Sequence, residues 1–217
     1  MKKDLGLVQA VYPMPVLMVA AYDENGKVNA MNVAWGQICD DDKIILFIGE
    51  GKKTWLNIKA SKAFTVSLAD RDHMKEADFL GIATGNKMED KFERTGLHTK
   101  KSDKVNAPVI DEFPVVIECE LLEFLNSDYV SGVVGKIVNV KAEEAVLDEN
   151  GKVDPSRLNA LIFDQFRNGY YVSGEKVGQA WNAGVPLLRK QSLHTEQRRQ
   201  AETFLHIVFS FFLHTGN

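Results

Sequence analysis

The segment Gly49-Glu50-Gly51-Lys52-Lys53-Thr54 carries the residue types of an anion cradle. It follows the apolar run Lys43 to Ile48 and precedes a helical pattern, so it leaves a strand and opens a helix. A helix start turns unpaired backbone N–H groups and a positive dipole end toward whatever lies above it. Lys52 and Lys53 add cations and Thr54 adds a hydroxyl, a set suited to a dianionic monophosphate. The spacing is not that of a P-loop, which would need glycine where Leu46 stands. A plain strand–helix turn with solvated lysines would use the same residues, and spacing alone does not separate the two.

Two further segments could carry chemistry. If Asn29-Ala-Met-Asn-Val-Ala-Trp-Gly36 is a strand, Asn29, Met31, Val33 and Trp35 share one face, and Ala30, Asn32, Ala34 and Gly36 the other. Small side chains around one amide would let a flat ring lie close to the backbone, or another element pack closely. In Gly85-Asn-Lys-Met-Glu-Asp-Lys-Phe-Glu-Arg-Thr-Gly96 a loop enters a short charged helix. Lys91, beside Phe92, could reach a bound anion or carbonyl; a solvated charged face would read the same way.

Conventional catalytic sets are missing. His73, His98, His194, His206 and His214 form no metal-ligand spacing, and there is no C-x-x-C pair. No G-x-S-x-G elbow occurs, and no G-x-G-x-x-G follows a strand. Cys39 and Cys119 lie in or beside apolar strands and read as buried packing residues. Asp40-Asp41-Asp42 lacks the spaced ligands, glycine and closing glutamate of a calcium loop and reads as a solvated turn. No metal and no catalytic residue is therefore assigned.

The elements that must position these segments are mostly strands. Pro15 to Tyr22, Val28 to Trp35, Lys43 to Ile48, Ala63 to Leu68, Val115 to Leu125 and Tyr129 to Lys141 all have β character. Helices are expected at Thr54 to Ala60, with Thr54 as N-cap, within Arg71 to Thr84, and at Met88 to Arg94 closed by Gly96. The hexapeptide D-E-N-G-K-V occurs at Asp23 and again at Asp148 with unrelated flanks, which reads as reused turn chemistry. The pattern predicts a mainly β protein with inserted helices, an antiparallel barrel closed or partly closed.

Composition sets the outer bounds. A chain of 217 residues, 45% hydrophobic and 26% charged, is ordinary for one large globular domain. A net charge of −4 with no basic run argues against a nucleic-acid partner. Lys2 and Lys3 before Pro15 to Ala21 faintly suggest a signal peptide, but Asp4, Pro13 and Pro15 favour a buried strand. No apolar run is long enough to span a bilayer, so a cytoplasmic protein away from the membrane is expected.

The order N-A-M-N-V-A-W, G-K-K-T, F-T-V-S-L and D-K-F-E-R-T-G-L, then Tyr170-Tyr171 and G-E-K-V-G-Q-A-W, resembles the flavin reductase-like family, flavoredoxin types included. The likeness covers roughly residues 10 to 182. It implies an FMN-binding split β-barrel over residues 1–183, with 184–217 a C-terminal extension, and a homodimer with flavin near the subunit interface. Asn32, Val33, Ala34 and Trp35 would line the isoalloxazine, largely through backbone groups. Lys52, Lys53 and Thr54 would hold the phosphate, Ser67 would close the site, and Lys91 would approach the flavin.

The implied activity is electron transfer from NADH or NADPH through FMN to flavin or another acceptor. Many such reductases have a histidine before the strand that here begins at Tyr129; this chain has Asp128-Tyr129. That departure favours the alternative of an electron carrier fed by a redox partner protein. A non-catalytic FMN-binding protein is the third reading.

Overall fold

A computed structural model of the chain describes residues 1–188, and contact density divides it into Met1–Gly174 and Glu175–Asn217. His194, His206 and His214 lie outside the described residues, as does most of the expected C-terminal extension. In the second unit, residues 179–187 form hydrogen-bonded turns such as Ala183 N–H to the Gln179 carbonyl at 3.0 Å.

The first unit holds β1 (Met14–Pro15), β2 (Leu17–Tyr22), β3 (Val28–Val33), β4 (Gly36–Asp40), β5 (Lys43–Leu46), α1 (Lys53–Ser61), β6 (Ala63–Leu68) and α2 (Met74–Ile82). There follow β7 (Thr99–Lys101), β8 (Pro108–Ile110), β9 (Val115–Asn126), β10 (Ser131–Ala142), α3 (Pro155–Leu158), β11 (Leu161–Asp164) and β12 (Gly169–Val172). Seven strands make one sheet in the order β3-β2-β6-β9-β10-β5-β4, with every pairing antiparallel. Laid flat, seven strands span roughly 29 Å edge to edge. Yet the two edges, β3 and β4, are joined by Ala34 and Trp35 alone, a reach of only about 10 Å. The sheet must therefore curl until its edges meet, which is the expected split barrel.

Side-chain alternation fills both sides of that sheet. Leu17, Val19 and Ala21 of β2 point into the barrel with Val33, Leu46, Phe64, Val66 and Val133, and α1 inserts Trp55 and Ile58 at one end. Met18 and Ala20 point outward against Ala30, Ala77, Leu80 and Ile110, beneath α2. Burial on both faces is why β2 reads as an unbroken apolar run.

The repeated hexapeptide makes the same turn twice. At each copy the aspartate Oδ1 accepts the N–H groups two and four residues on, and the glycine is left-handed, at φ +78° for Gly26 and +72° for Gly151.

Several expectations change. The second strand stops at Val33, and β4 occupies a stretch to which no element was assigned, just ahead of the turn foreseen at the three aspartates; its solvent-exposed residues hide the apolar alternation. Helix α1 starts at Lys53, so Lys52 holds the N-cap position and Thr54 lies inside the first turn. The charged stretch before Gly96 gives only one 3₁₀ turn, Glu93–Thr95. The three- and four-residue strands β7, β8, β11 and β12 are too short for periodicity to register. Cys39 is exposed, whereas Cys119 is fully buried and desolvation pushes its thiol up to about 12.

Gly135 marks the tightest point of the barrel wall. A β-bulge begins there, and an added Cβ would sit 2.3 Å from Phe64 Cζ and 3.3 Å from Cys119 Cβ, both residues fully buried. Gly135→Ala should cost about 1–3 kcal/mol of stability by overpacking, read from the midpoint of urea unfolding.

Candidate functional site

Three elements converge on one spot. Helix α1 supplies its N-terminus, with no side chain capping it and no acidic residue in its first turn. The last four residues of the cradle segment, Gly51 to Thr54, are held against the next loop by Asn86 Nδ2, which donates to the Gly51 carbonyl at 2.8 Å. Lys91 then arrives from the loop after α2. Its side chain is 97% buried, and Nζ donates to the Ala30 carbonyl of β3 at 2.8 Å.

That last bond has a structural cause. β3 is an edge of the sheet, so one side of it has no strand partner, and Lys91 caps a carbonyl there. An ammonium carries three donors and this contact uses one. Among the described residues no carboxylate pairs with it. Burial, and then the nearby Lys52 ammonium, push the Lys91 amine down to about 8.

Asn29 is the residue that sequence reasoning missed. It is 6% exposed, and its Nδ2 donates to Thr54 Oγ1 at 2.7 Å. Because the Thr54 oxygen accepts there, its own O–H is left to donate elsewhere. Gly85 makes the room: an added Cβ would lie 2.3 Å from Asn29 Oδ1 and 3.0 Å from Lys53 Cβ. Asn29 was in view as a strand residue, but only a contact 25 positions away gives it a task.

Two adjoining recesses, of about 90 and 440 Å³, share Asn29, Lys53, Gly85 and Lys91 as walls. Lys52 and Thr54 line the smaller one, and Asp23, Asn25 and Asn86 the larger. Together they present four ammonium groups, Lys27, Lys52, Lys53 and Lys91, against two carboxylates, Asp23 and Glu89, with a hydroxyl donor and a helix N-terminus, a net positive donor set that fits a phosphate monoester.

The other candidates lie elsewhere. Asn32 and Ala30 are on the small-residue face, but α2 occupies it: Asn32 Nδ2 donates to the Ala77 carbonyl at 3.3 Å, and Ala30 is fully buried. The close approach foreseen there is made by helix packing. Val33 points into the barrel core. Ala34 and Trp35 form the bend to β4, and the half-exposed Trp35 lines a separate apolar groove of about 730 Å³ with Leu17, Ile38, Phe47 and Ile117. Ser67 lines neither recess. β2 stands between its strand and β3, and its hydroxyl is buried with no hydrogen-bond partner.

The fold is a split barrel whose polar recesses lie beside its open edge strand, β3. Residues 9–168 match the signature described as the flavin reductase like domain, and the chain belongs to that family. Flavoredoxin of Desulfovibrio vulgaris (Miyazaki F) is 33% identical, with 85% of this chain and all of that one covered at a TM-score of 0.80. Flavoredoxin from Methanosarcina acetivorans is 24% identical, covering 86% and 100%, with a TM-score of 0.76. An FMN-binding domain of a flavin reductases-like enzyme from Shewanella baltica OS155 shares the fold at 17% identity and a TM-score of 0.68, covering 76% and 88%.

Lys91 makes a sign-definite prediction. Its amine titrates lower in the folded protein than in the unfolded chain, where it is near 10.4, so the unfolded state binds more protons between those values. Stability of the wild type relative to Lys91→Met should therefore rise from about pH 8 to about 10.4, as followed by urea unfolding. Inorganic phosphate at saturation should suppress that rise by holding the ammonium charged.

Proposed function

We propose that the chain is an FMN-dependent oxidoreductase that takes electrons from NADH or NADPH and passes them to flavin or another acceptor. The observation that carries the FMN assignment is the buried Lys91 ammonium, unpaired by any described carboxylate and joined by Lys52, Lys53 and Thr54 at the start of α1. A terminal phosphate supplies the missing counter-charge. Bound FMN would supply the redox chemistry itself, and the protein's part is to place the ring and tune its electronics.

Roughly 13 Å of strand separates Ala30 at the cradle from Ala34 at the bend. The unpaired edge of β3 runs that length, and its backbone groups past Asn32 and Val33 are the contacts offered to a flavin ring reaching toward Ala34 and Trp35. Lys91, Lys52 and Lys53 keep positive charge at the phosphate end. No side chain at the cradle is assigned proton transfer.

A second reading, an electron carrier that takes its electrons from a redox partner protein, is favoured by Asp128-Tyr129 in place of a histidine and by the likeness to flavoredoxin. Tyr129 is 97% exposed and lines neither recess. Anaerobic addition of NADH or NADPH to the FMN-loaded protein decides between them. Bleaching of the visible flavin bands is expected of the reductase, and no bleaching of the carrier.

Replacing Lys53 and Thr54 by alanine should weaken FMN by at least about tenfold, the scale of one or two charge-assisted hydrogen bonds, and leave riboflavin nearly unchanged. Equal loss for both ligands, read by fluorescence quenching, would refute the phosphate assignment. We further propose a cytoplasmic homodimer in which a second copy covers the groove of Trp35, Ile38 and Phe47, three large apolar side chains that are exposed in the single chain. Light scattering should give twice the chain mass, and Ile38→Asp should halve it.

A further inference from the structure

A carboxylate stands inside the cradle, where an anion should bind. Asp23 Oδ1 accepts the N–H groups of Asn25 and Lys27, each at 2.9 Å, and Oδ2 accepts from Lys53 Nζ at 3.4 Å. Its side chain is only 12% exposed, and it shares the larger recess with Lys53 and Lys91. Burial pushes the Asp23 carboxyl up, but the Lys27 and Asn25 amides and Lys53 outweigh it and hold it below the usual carboxylate range. It is charged at neutral pH.

The second copy of the hexapeptide shows what the turn itself requires. Asp148 Oδ1 accepts the N–H groups of Asn150 at 2.8 Å and Lys152 at 2.9 Å, and no described ammonium lies within salt-bridge distance of its carboxylate. The turn thus needs one side-chain oxygen, which asparagine or serine supplies as well as aspartate. The second oxygen of Asp23, and its charge, are surplus to the turn.

We infer that Asp23 is the resident counter-anion of the cradle: it holds Lys53 in the ligand-free protein and competes for it with the incoming phosphate, so that the site selects dianions. The inference rests on the phosphate reading above. A monoanion replacing one carboxylate contact by another gains nothing from Lys53. A phosphate monoester, with a charge of about −1.5 to −2 at pH 7, outcompetes it. Loss of Lys53 ordering works in the opposite direction, but the pair is long and Lys53 is one-third exposed, so the competition term dominates.

Asp23→Asn should therefore tighten FMN about two- to fivefold, the scale of one solvent-accessible ion pair, without moving riboflavin. Asp23→Ser, which keeps an acceptor for the turn, should do the same, and Asp148→Asn should change neither ligand. In a Lys53→Met background the gain from Asp23→Asn should vanish. Unchanged or weaker FMN binding by folded Asp23→Asn or Asp23→Ser, or a gain that survives in Lys53→Met, would overturn the inference. Wild-type protein that binds riboflavin as tightly as FMN would instead overturn the phosphate reading, and it shows that before any variant is made.

Discussion

The two-residue bend at Ala34-Trp35 ties together the two edges of a seven-stranded sheet, and most of the molecule follows from that tie. An antiparallel sheet of this width cannot lie flat when its first and last strands are consecutive in the chain. It curls, its inner face becomes the core around Phe64, Leu46 and Val133, and the bulge at Gly135 takes up the bend. Closure along a bend rather than along a full hydrogen-bonded seam leaves the outer side of β3 without a strand partner. The cradle is built on that unpaired side.

An edge strand must be managed, and here it is managed by charge. Lys91 reaches the Ala30 carbonyl and in doing so is drawn almost completely out of solvent. Desolvation disfavours its charged form, and the Lys52 ammonium adds to the effect. The side chains that line the cradle thus leave it short of negative charge. Asp23 offsets part of that deficit through Lys53, and a bound phosphate would offset the rest. Sheet-edge protection and the proposed anion binding are two consequences of one placement.

The same closure separates the two ends of the site. The polar recesses lie beside α1, while Trp35, Ile38 and Phe47 line an apolar groove at the bend. A cofactor with a charged tail and a flat ring has this polarity, and membership of the flavin reductase-like family accords with it. Apolar side chains left exposed along a groove also favour coverage by another surface, which is why subunit pairing and ring placement are coupled in the proposed function.

By itself the sequence determined the strands β2, β3, β5, β6, β9 and β10, the helix start at Gly49 to Thr54, the family, and the turn chemistry of both hexapeptides, because each is a local pattern of residue type and spacing. It named Lys52, Lys53, Thr54 and Lys91, which the structure brings to one recess, through motif order and the chemistry of cations near a helix start. Tertiary structure alone decided the rest. Whether the small face of β3 meets a ring or a helix depends on where α2 packs. Whether Ser67 reaches the site depends on which strand lies between β6 and β3. The tasks of Asn29 and Asp23 come from partners 25 and 30 residues away. Strand order and side-chain direction are set by the global closure of the sheet, and no short window of sequence contains that information.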